Sequence, residues 1–336
     1  MRPYKRWLGS FSTLLSPGLL SRTSGIRTLL PYHHVVSDQY LSHIKGLYNY
    51  KDTRRFTEDL DWLLSHYQPL HPDELANSFL ENRPLPPKTF LLSFDDGFRE
   101  VHDVIAPILL RKGVPALFFI NPAFIDNKEL FYRCKLSLLL EKAAEPAVFD
   151  ALSKYFSLNK PSVPLLRKAV LAIQYPNRLR ADELGSLADI DFDDFLQSQQ
   201  PFLTTEQVQN LSNQGFIFGG HSIDHPAYRY IDQEEQFRQT IDSVNFAHSF
   251  NPSSHRFFAF PHEDVPVSQA FFDWVKAEEQ PIFLFGLQNG RREDANRLWH
   301  RFNAEDPTQG LPAQAGTVQL YNSLLRLAGH RAIHRK

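Results

Sequence analysis

The chain has 336 residues, of which 42% are hydrophobic and 22% are charged, and its formal net charge is −2. These values are ordinary for a globular protein of one large domain or two medium ones, and they give no reason to expect nucleic acid as a partner. Its single cysteine, Cys134, excludes an internal disulfide bond and a metal cluster built on cysteine.

Residues 1–25 predict a short amphipathic helix with basic residues at its start. The residues of its apolar face are Trp7, Leu8, Phe11, Leu14 and Leu15. Serine, proline and glycine residues interrupt the apolar stretch and no convincing cleavage site follows, so a signal peptide is not indicated. We expect this helix to dock on the domain, and the alternative is a helix that lies on a membrane surface. No other stretch is long and apolar enough to span a bilayer. Because neither a convincing signal peptide nor a transmembrane helix is indicated, we expect a cytoplasmic location, with peripheral membrane attachment as the alternative.

Strand-like and helix-like segments alternate along most of the chain. The strand candidates are residues 26–35, the run that begins at Thr89, and residues 115–120, 215–219, 256–260, 281–287 and 297–302. Alternation of this kind implies parallel strands joined by helical crossovers. We therefore expect a single α/β domain over residues 1–336, a distorted (β/α) barrel of about seven strands, with functional residues at the carboxyl ends of the strands.

One segment, residues 126–201, does not fit the alternation. It is rich in leucine at its start and continues with further helix-like runs, so we expect a mostly helical insertion between two barrel strands. The insertion is either a cap over the strand ends that shapes a substrate groove or peripheral packing, and the sequence leaves both open.

The stretch Thr89-Phe90-Leu91-Leu92-Ser93-Phe94-Asp95-Asp96-Gly97 is an apolar run that ends in two carboxylates and a glycine. Such a run predicts a buried strand. Neighbouring residues of a strand point to opposite sides, so the two aspartates can have different functions. The alternative is an Asp-Gly turn with solvated carboxylates.

A second polar stretch, Gly219-Gly220-His221-Ser222-Ile223-Asp224-His225, also follows an apolar run. Its two histidines are four residues apart, so on a helical turn both rings would project to the same side. Two imidazoles and one carboxylate are a common ligand set for a catalytic divalent metal. Because parallel strands of a barrel end at one rim, Asp96 can supply the carboxylate.

These two stretches resemble the first two motifs of the polysaccharide deacetylases, also called carbohydrate esterase family 4 or the NodB-homology fold. Tyr32-His33-His34-Val35 resembles the first-strand signature of a circularly ordered subgroup, and Phe258-Ala259-Phe260-Pro261 resembles the third motif. The resemblance covers roughly residues 26–125 and 202–302. It implies that Asp96, His221 and His225 hold one divalent metal ion, zinc in the favoured case, and that Asp95 is the general base.

The resemblance implies a metal-dependent deacetylase that releases acetate from N-acetylated oligo- or polysaccharides. The alternatives are a non-catalytic carbohydrate-binding relative and a hydrolase of another acyl or amide substrate at the same metal site. In the family, the histidine that protonates the leaving amine comes from a late strand or, in the circular subgroup, from the first strand. We favour His33 over His300 for this role and expect His34 to point the other way. Candidates for substrate contact are Pro261, His262, Trp299 and His300.

Overall fold

The computed structural model describes residue 12, residues 15–293, residues 297–333 and residue 335. Its strands are β1 (Thr28–Leu29), β2 (Pro31–His33), β3 (Gln68–Pro69), β4 (Thr89–Phe90), β5 (Leu92–Phe94), β6 (Ala116–Ile120), β7 (Ile217–Gly220), β8 (Arg256–Ala259), β9 (Ile282–Gly286), β10 (Arg292–Glu293), β11 (Leu298–His300) and β12 (Phe302–Asn303). Its helices are α1 (Pro17–Ser24), α2 (Ser42–Lys45), α3 (Thr53–His66), α4 (Pro72–Leu80), α5 (Ala106–Lys112), α6 (Tyr132–Lys142), α7 (Pro146–Tyr155), α8 (Val163–Leu171), α9 (Arg180–Leu187), α10 (Phe192–Gln199), α11 (Thr205–Asn213), α12 (Gln233–His248), α13 (Gln269–Ala277) and α14 (Leu311–Leu327). A π-helical turn spans Val101–Ile105, and 3-10 turns span Ile125–Asn127, Tyr175–Asn177 and Tyr228–Tyr230.

The main sheet curls until its two ends meet in one strand. A single residue separates β1 from β2, β4 from β5, and β11 from β12, so each pair is one strand with a local break. With these pairs joined, seven parallel strands form the barrel in the described part of the chain. β11 pairs with β9 and β12 pairs with β2, so the last strand closes the ring. The expected distorted (β/α) barrel of about seven strands is confirmed, and the single paired position between β7 and β8 is one of its distortions.

Apolar side chains alternate between the two faces of the barrel strands, as strand geometry requires. One set packs outward under the helices, and its members include Leu29, Phe90, Leu92, Phe94 and Phe118. The other set fills the barrel interior, and its members include Leu30, Leu91, Leu117, Phe119, Phe257 and Phe285. The barrel is therefore a packed core, and only its rim is free for polar side chains.

The same alternation decides which polar side chains reach the interior of the rim. His33 belongs to the outward set and stacks on Phe94 with ring centroids 5.7 Å apart. Asp95 is one residue beyond Phe94 and therefore faces inward, where Arg301 binds it. His34 follows His33 and faces inward in the same way.

The insertion is helical and shares its core with the barrel rim. Residues 126–201 contain helices α6 to α10. Their apolar faces form one buried cluster with Val35, Ile44 and Phe98, which lie on the barrel side of the boundary. The insertion therefore has no separate core of its own to hold it together away from the rim.

The described part of the amino-terminal segment, helix α1, packs against the carboxy-terminal helix α14. Leu20 is buried, and the Thr23 and Ser323 hydroxyls are 2.9 Å apart. Most of the helix expected over residues 1–25, including Trp7, Leu8, Phe11 and Leu14, lies outside the described residues, and so does its expected contact with the domain or a membrane surface. None of the described helices combines the length and the apolar character needed to cross a bilayer.

A buried ion pair joins the loop after β2 to helix α3. Lys51 and Asp59 are both buried and bonded to each other, and Asp59 also accepts a hydrogen bond from the N–H of Leu311 at 2.7 Å. Replacing Lys51 with Met leaves the carboxylate buried without its counter-charge. We expect this change to lower the free energy of unfolding by about 3–5 kcal/mol, as measured by denaturant titration.

Two variants control this measurement. Arg54→Ala breaks an exposed pair with Glu58 and should cost less than about 1 kcal/mol. Adding Asp59→Asn to Lys51→Met removes the stranded charge and should recover part of the lost stability. A Lys51→Met protein as stable as the Arg54→Ala protein would show that the buried pair does not hold the loop.

Candidate metal centre and active site

The first part of the site is the turn after strand β5. The strand is buried along its length, so Asp95 and Asp96 reach the rim in a dry environment. The N–H of Asp95 still donates to the carbonyl of His33 at 2.9 Å, which extends the strand pairing by one residue. Asp96 then adopts a left-handed conformation with φ 73°, and Gly97 follows with φ 66°. This costly backbone turns the Asp96 carboxylate away from the direction of Asp95, and strain of this kind is typical of functional sites.

The second part of the site is the loop after strand β7. The N–H of His221 donates to the carbonyl of Ile120 at 3.0 Å, and the N–H of His225 donates to Ser222 Oγ at 3.1 Å. Ser222 and His225 have φ of 63° and 62°, so the chain here is a loop and not the helical turn that the spacing suggested. The two imidazole rings nevertheless meet, with centroids 4.8 Å apart.

Three buried side chains from these two turns converge on one point. Asp96 Oδ1 lies 3.4 Å from His221 Nε2 and 3.1 Å from His225 Nε2. His221 Nδ1 lies 2.8 Å from the carbonyl oxygen of Ala259, so it is the N–H of that ring and leaves Nε2 with a free lone pair. A ring fixed in this way by a backbone carbonyl is the usual arrangement of a metal-binding histidine.

The charges of this cluster fit a divalent cation. Burial lowers the pKa of His225, which favours the neutral imidazole that a metal needs. Burial would raise the pKa of Asp96, but its polar contacts with the rings of His225 and His221 hold it well below its usual value, so the carboxylate is ionised. Asp96 Oδ1 accepts no well-formed hydrogen bond from the described residues. One oxygen and two nitrogen donors are thus turned towards each other, and Asp96, His221 and His225 could hold a metal ion.

A second group of possible ligands, Asp264, Glu293 and His300, lies elsewhere in the fold. His300 Nε2 is 3.0 Å from Glu293, but a guanidinium already occupies this group. Arg335 Nη2 donates to Asp264 at 2.6 Å and to Glu293 at 3.0 Å. These two carboxylates are therefore neutralised by an arginine, whereas the described residues around Asp96 include no such cation bonded to it.

Asp95 is held by a two-pronged contact with Arg301. Arg301 Nη1 donates to Asp95 Oδ1 at 2.6 Å and Nη2 donates to Oδ2 at 2.8 Å. The guanidinium lies over the rings of Tyr32 and Phe119, at 4.7 and 5.0 Å, which fixes its plane. Burial would raise the pKa of Asp95, but Arg301 lowers it below the usual value. Asp95 is thus an ionised and oriented carboxylate whose Oδ2 is 4.0 Å from His221 Nε2.

His34 is the inward-facing histidine of the first strand, and it is paired with Glu305. Its Nδ1 lies 2.8 Å from Glu305 Oε2, and its backbone N–H donates to Glu305 Oε1 at 2.5 Å. Burial would lower the pKa of His34, but the Glu305 carboxylate raises it to about 10. The charge of His34 in turn lowers the pKa of Asp95 and Asp96. His34 is therefore a protonated imidazole close to both carboxylates, and only 19% of its side chain is exposed.

The structure places His33 and His300 away from this group. The His33 ring packs between Phe94 and Phe56 in the outer layer, and burial lowers its pKa to about 3. Such a ring is neutral at ordinary pH and is therefore not the imidazolium that protonation of a leaving amine requires. His300 lies in the buried cluster with Glu293 described above, although it immediately precedes Arg301. The structure therefore does not bring either candidate proton donor to Asp95.

The four candidates for substrate contact are divided between two places. Pro261 and His262 follow strand β8 at the rim, and the His262 ring lies 4.5 Å from the ring of His225. Trp299 instead stacks on Phe283 inside the barrel at 5.6 Å. Trp299 and His300 line a cavity of about 650 Å³ whose lining includes residues that precede β1 and β4 and does not include Asp96, His221 or His225.

The insertion reaches the loop that carries the two histidines. The Phe131 ring lies 4.7 Å from the ring of His225, and the Tyr175 hydroxyl donates to Asp224 Oδ2 at 2.6 Å. Asp224 thus bonds to the insertion rather than to a histidine. These contacts favour a cap that supports the site over peripheral packing.

Arg301 and Glu305 are site residues that sequence reasoning missed. Arg301 is a charged residue within the last strand, and a charge at an interior position is a signal that its partner lies inside the barrel. Glu305 offers no comparable signal, because it follows β12 in an irregular segment. His34 could have been identified by continuing the interior series Leu30, Tyr32, His34 along the first strand.

A family model described as polysaccharide deacetylase matches residues 82–268 of the chain. Three solved structures are similar in fold. The Streptococcus pyogenes deacetylase PplD, in complex with acetate, has a TM-score of 0.54 and 13% identity, covering 85% of this chain and 95% of that chain. IcaB from Ammonifex degensii has a TM-score of 0.53 and 14% identity, covering 87% and 98%. A de-N-acetylase from Aggregatibacter actinomycetemcomitans has a TM-score of 0.53 and 16% identity, covering 86% and 99%. No curated protein matches the chain.

Proposed function

The chain belongs to the polysaccharide deacetylase family, and we propose that it removes N-acetyl groups from glycans with one divalent metal ion, zinc, bound to Asp96, His221 and His225. As a member of this family it is a hydrolase of carbon–nitrogen bonds other than peptide bonds. The proposal of zinc-dependent N-deacetylation depends most on one observation. Three buried side chains that could bind a metal lie beside an ionised carboxylate, Asp95, that Arg301 holds in place.

The donor set suits zinc, which binds imidazole nitrogen and carboxylate oxygen and keeps an open position in catalytic sites. When bound, the ion supplies positive charge that polarises the acetyl carbonyl and lowers the pKa of water. The proton transfers of the reaction are assigned to side chains that the structure places around the metal donors.

Asp95 is the base in this proposal. It accepts a proton from the attacking water as the water oxygen bonds to the carbonyl carbon, and Arg301 keeps the carboxylate aimed during the transfer. His34 is the acid. Its protonated ring gives a proton to the sugar nitrogen as the carbon–nitrogen bond breaks, and Glu305 stabilises the charged ring beforehand. The products are acetate and a free amino sugar.

The experiment that tests this function measures metal and acetate on the same preparations. Purified protein loaded with zinc should contain one ion per chain and release acetate from N-acetylglucosamine oligomers. His225→Ala removes one of three donors, so we expect its metal content and acetate release to fall to background. Circular dichroism should show that its fold is kept.

His66→Ala is the matched control, because His66 lies on the exposed end of helix α3 and should affect neither quantity. Unchanged metal stoichiometry in His225→Ala would contradict the ligand assignment. Bound metal without acetate release from any N-acetylated sugar would instead direct the search to another acyl or amide substrate.

A further inference from the structure

The hydroxyl of Tyr48 is buried and has no hydrogen-bond partner among the residues that the structure describes. Buried hydroxyl groups are nearly always paired, because an unpaired one loses its bonds to water without replacement. The Tyr48 ring lies beside the ring of His34, with centroids 5.0 Å apart and planes inclined by 35°. An unsatisfied donor beside the proposed acid points to a partner that arrives with the substrate.

The segment that carries Tyr48 is firmly fixed. We name residues 34–52 the rim loop. The insertion holds it through Ser137, whose Oγ accepts from the N–H of Gly46 at 2.8 Å and donates to the carbonyl of Ser42 at 2.6 Å. Within the loop, the Tyr50 hydroxyl donates to the carbonyl of Gln39 at 2.8 Å. The Tyr48 hydroxyl is therefore unpaired in a loop in which the Tyr50 hydroxyl and the backbone groups of Ser42 and Gly46 are hydrogen-bonded.

The surrounding charges keep Tyr48 in its neutral form. Burial raises the pKa of its hydroxyl well above the usual value, and the negative charges of Asp96, Glu305 and Asp95 raise it further. The group therefore keeps its proton at neutral pH. A neutral phenol in this position can donate a hydrogen bond, but it cannot act as a catalytic base.

We propose that Tyr48 donates a hydrogen bond to the acetyl carbonyl oxygen of the substrate and stabilises the negative charge that develops there. This inference rests on the proposed function. When the water oxygen bonds to the carbonyl carbon, the carbonyl electron pair moves onto its oxygen and the water proton passes to Asp95. Because His34 protonates the nitrogen, the carbonyl oxygen is the atom whose developing negative charge still needs a hydrogen-bond donor. The charge returns to the carbonyl as the carbon–nitrogen bond breaks and His34 protonates the amine.

A donor to the carbonyl oxygen has a signature that separates it from a donor to the leaving group. The carbonyl oxygen becomes negative in the cleavage of an amide and of an activated ester alike, whereas only the amine leaving group needs a proton. A donor to a sugar hydroxyl would act on binding of the glycan and leave a small ester untouched.

The test compares Tyr48→Phe with Tyr50→Phe, each of which removes one hydroxyl from the same loop. The substrates are an N-acetylglucosamine oligomer and 4-nitrophenyl acetate. For Tyr48→Phe we expect kcat to fall about 10²-fold on both substrates, with KM and zinc content little changed. Tyr50→Phe should keep kcat. Tyr48→His, which returns an N–H donor, should be more active than Tyr48→Phe and serves as a second test if the phenylalanine variant folds poorly.

Each other result has a defined meaning. An unchanged kcat in Tyr48→Phe, a loss confined to the amide, or a rise confined to KM of the oligomer would overturn this inference while leaving the proposed function standing. A wild-type protein that binds zinc but releases no acetate from either substrate would overturn the proposed function, and this inference with it.

Discussion

Asp96→Asn is expected to abolish zinc binding, whereas Asp95→Asn should keep the metal and lower turnover by about 10²-fold or more. The two aspartates are adjacent, but the left-handed backbone at Asp96 gives them different neighbours. Asp96 Oδ1 lies 3.1 and 3.4 Å from the two histidine nitrogens, so the amide would remove the one anionic ligand. Asp95 is bonded to Arg301, and its amide would keep the shape of the site without its basicity.

Metal per chain and kcat for acetate release, measured on the same samples, separate these two roles. Asp61→Asn is a matched control, since its carboxylate is exposed and paired with Lys112 at the surface. Asp95→Asn also leaves the buried Arg301 without its counter-ion, so thermal unfolding must show that the sample is native at the assay temperature. Equal loss of metal in both variants would merge the two roles and contradict the mechanism.

His34→Gln should lower cleavage of an acetamide by about 10²–10⁴-fold and spare an activated acetate ester. The reason is that an amine leaves poorly without a proton, while the leaving group of the ester needs none. His33→Gln is the matched control in the neighbouring position. Its ring packs on Phe94 and Phe56, so we expect reduced stability and near-normal turnover per folded molecule.

The pH profile gives an independent measure of the same group. Glu305 raises the pKa of His34, so kcat should fall on an alkaline limb as the protonated form of this ring is lost. Glu305→Gln removes the charge that stabilises the protonated ring, and the alkaline limb of kcat should move to lower pH by about 1–3 units. Loss of amide cleavage in His33→Gln with an intact His34→Gln enzyme would return the acid role to His33.

The barrel and the candidate metal donors could be predicted because they depend on local patterns. Apolar runs that end in polar residues identify strands and their carboxyl ends, and parallel strands bring those ends to one rim. Asp96, His221 and His225 were found in this way and the structure brings all three together. The conformation of the histidine loop could not be predicted, because left-handed backbone at Ser222 and His225 has no signature in residue types that usually avoid it.

The choice between His33 and His34 shows what the alternation of residues along a strand cannot predict. The sequence shows that His33 and His34 point to opposite faces of their strand. It does not show which of the two faces the barrel interior, because that depends on how all the strands pack together. Trp299 and His300 raised a similar difficulty. Their strand reaches the rim only at Arg301, so residues one or two positions earlier lie deep in the barrel or in the cluster around Glu293. The functional roles of these residues and the cytoplasmic location stay predictions.

The contact between the rim loop and the insertion has a consequence for protein engineering. Gly46 lies against Ser137 so closely that a Cβ at this position would come within 2.9 Å of the Ser137 Cα. A chimera that takes residues 126–201 from a relative would therefore meet a loop shaped for a different surface. The part of the rim loop that contacts the insertion, residues 42–46, therefore has to be exchanged together with residues 126–201, so that a different cap can be installed on this barrel with His34 and Tyr48 kept in place.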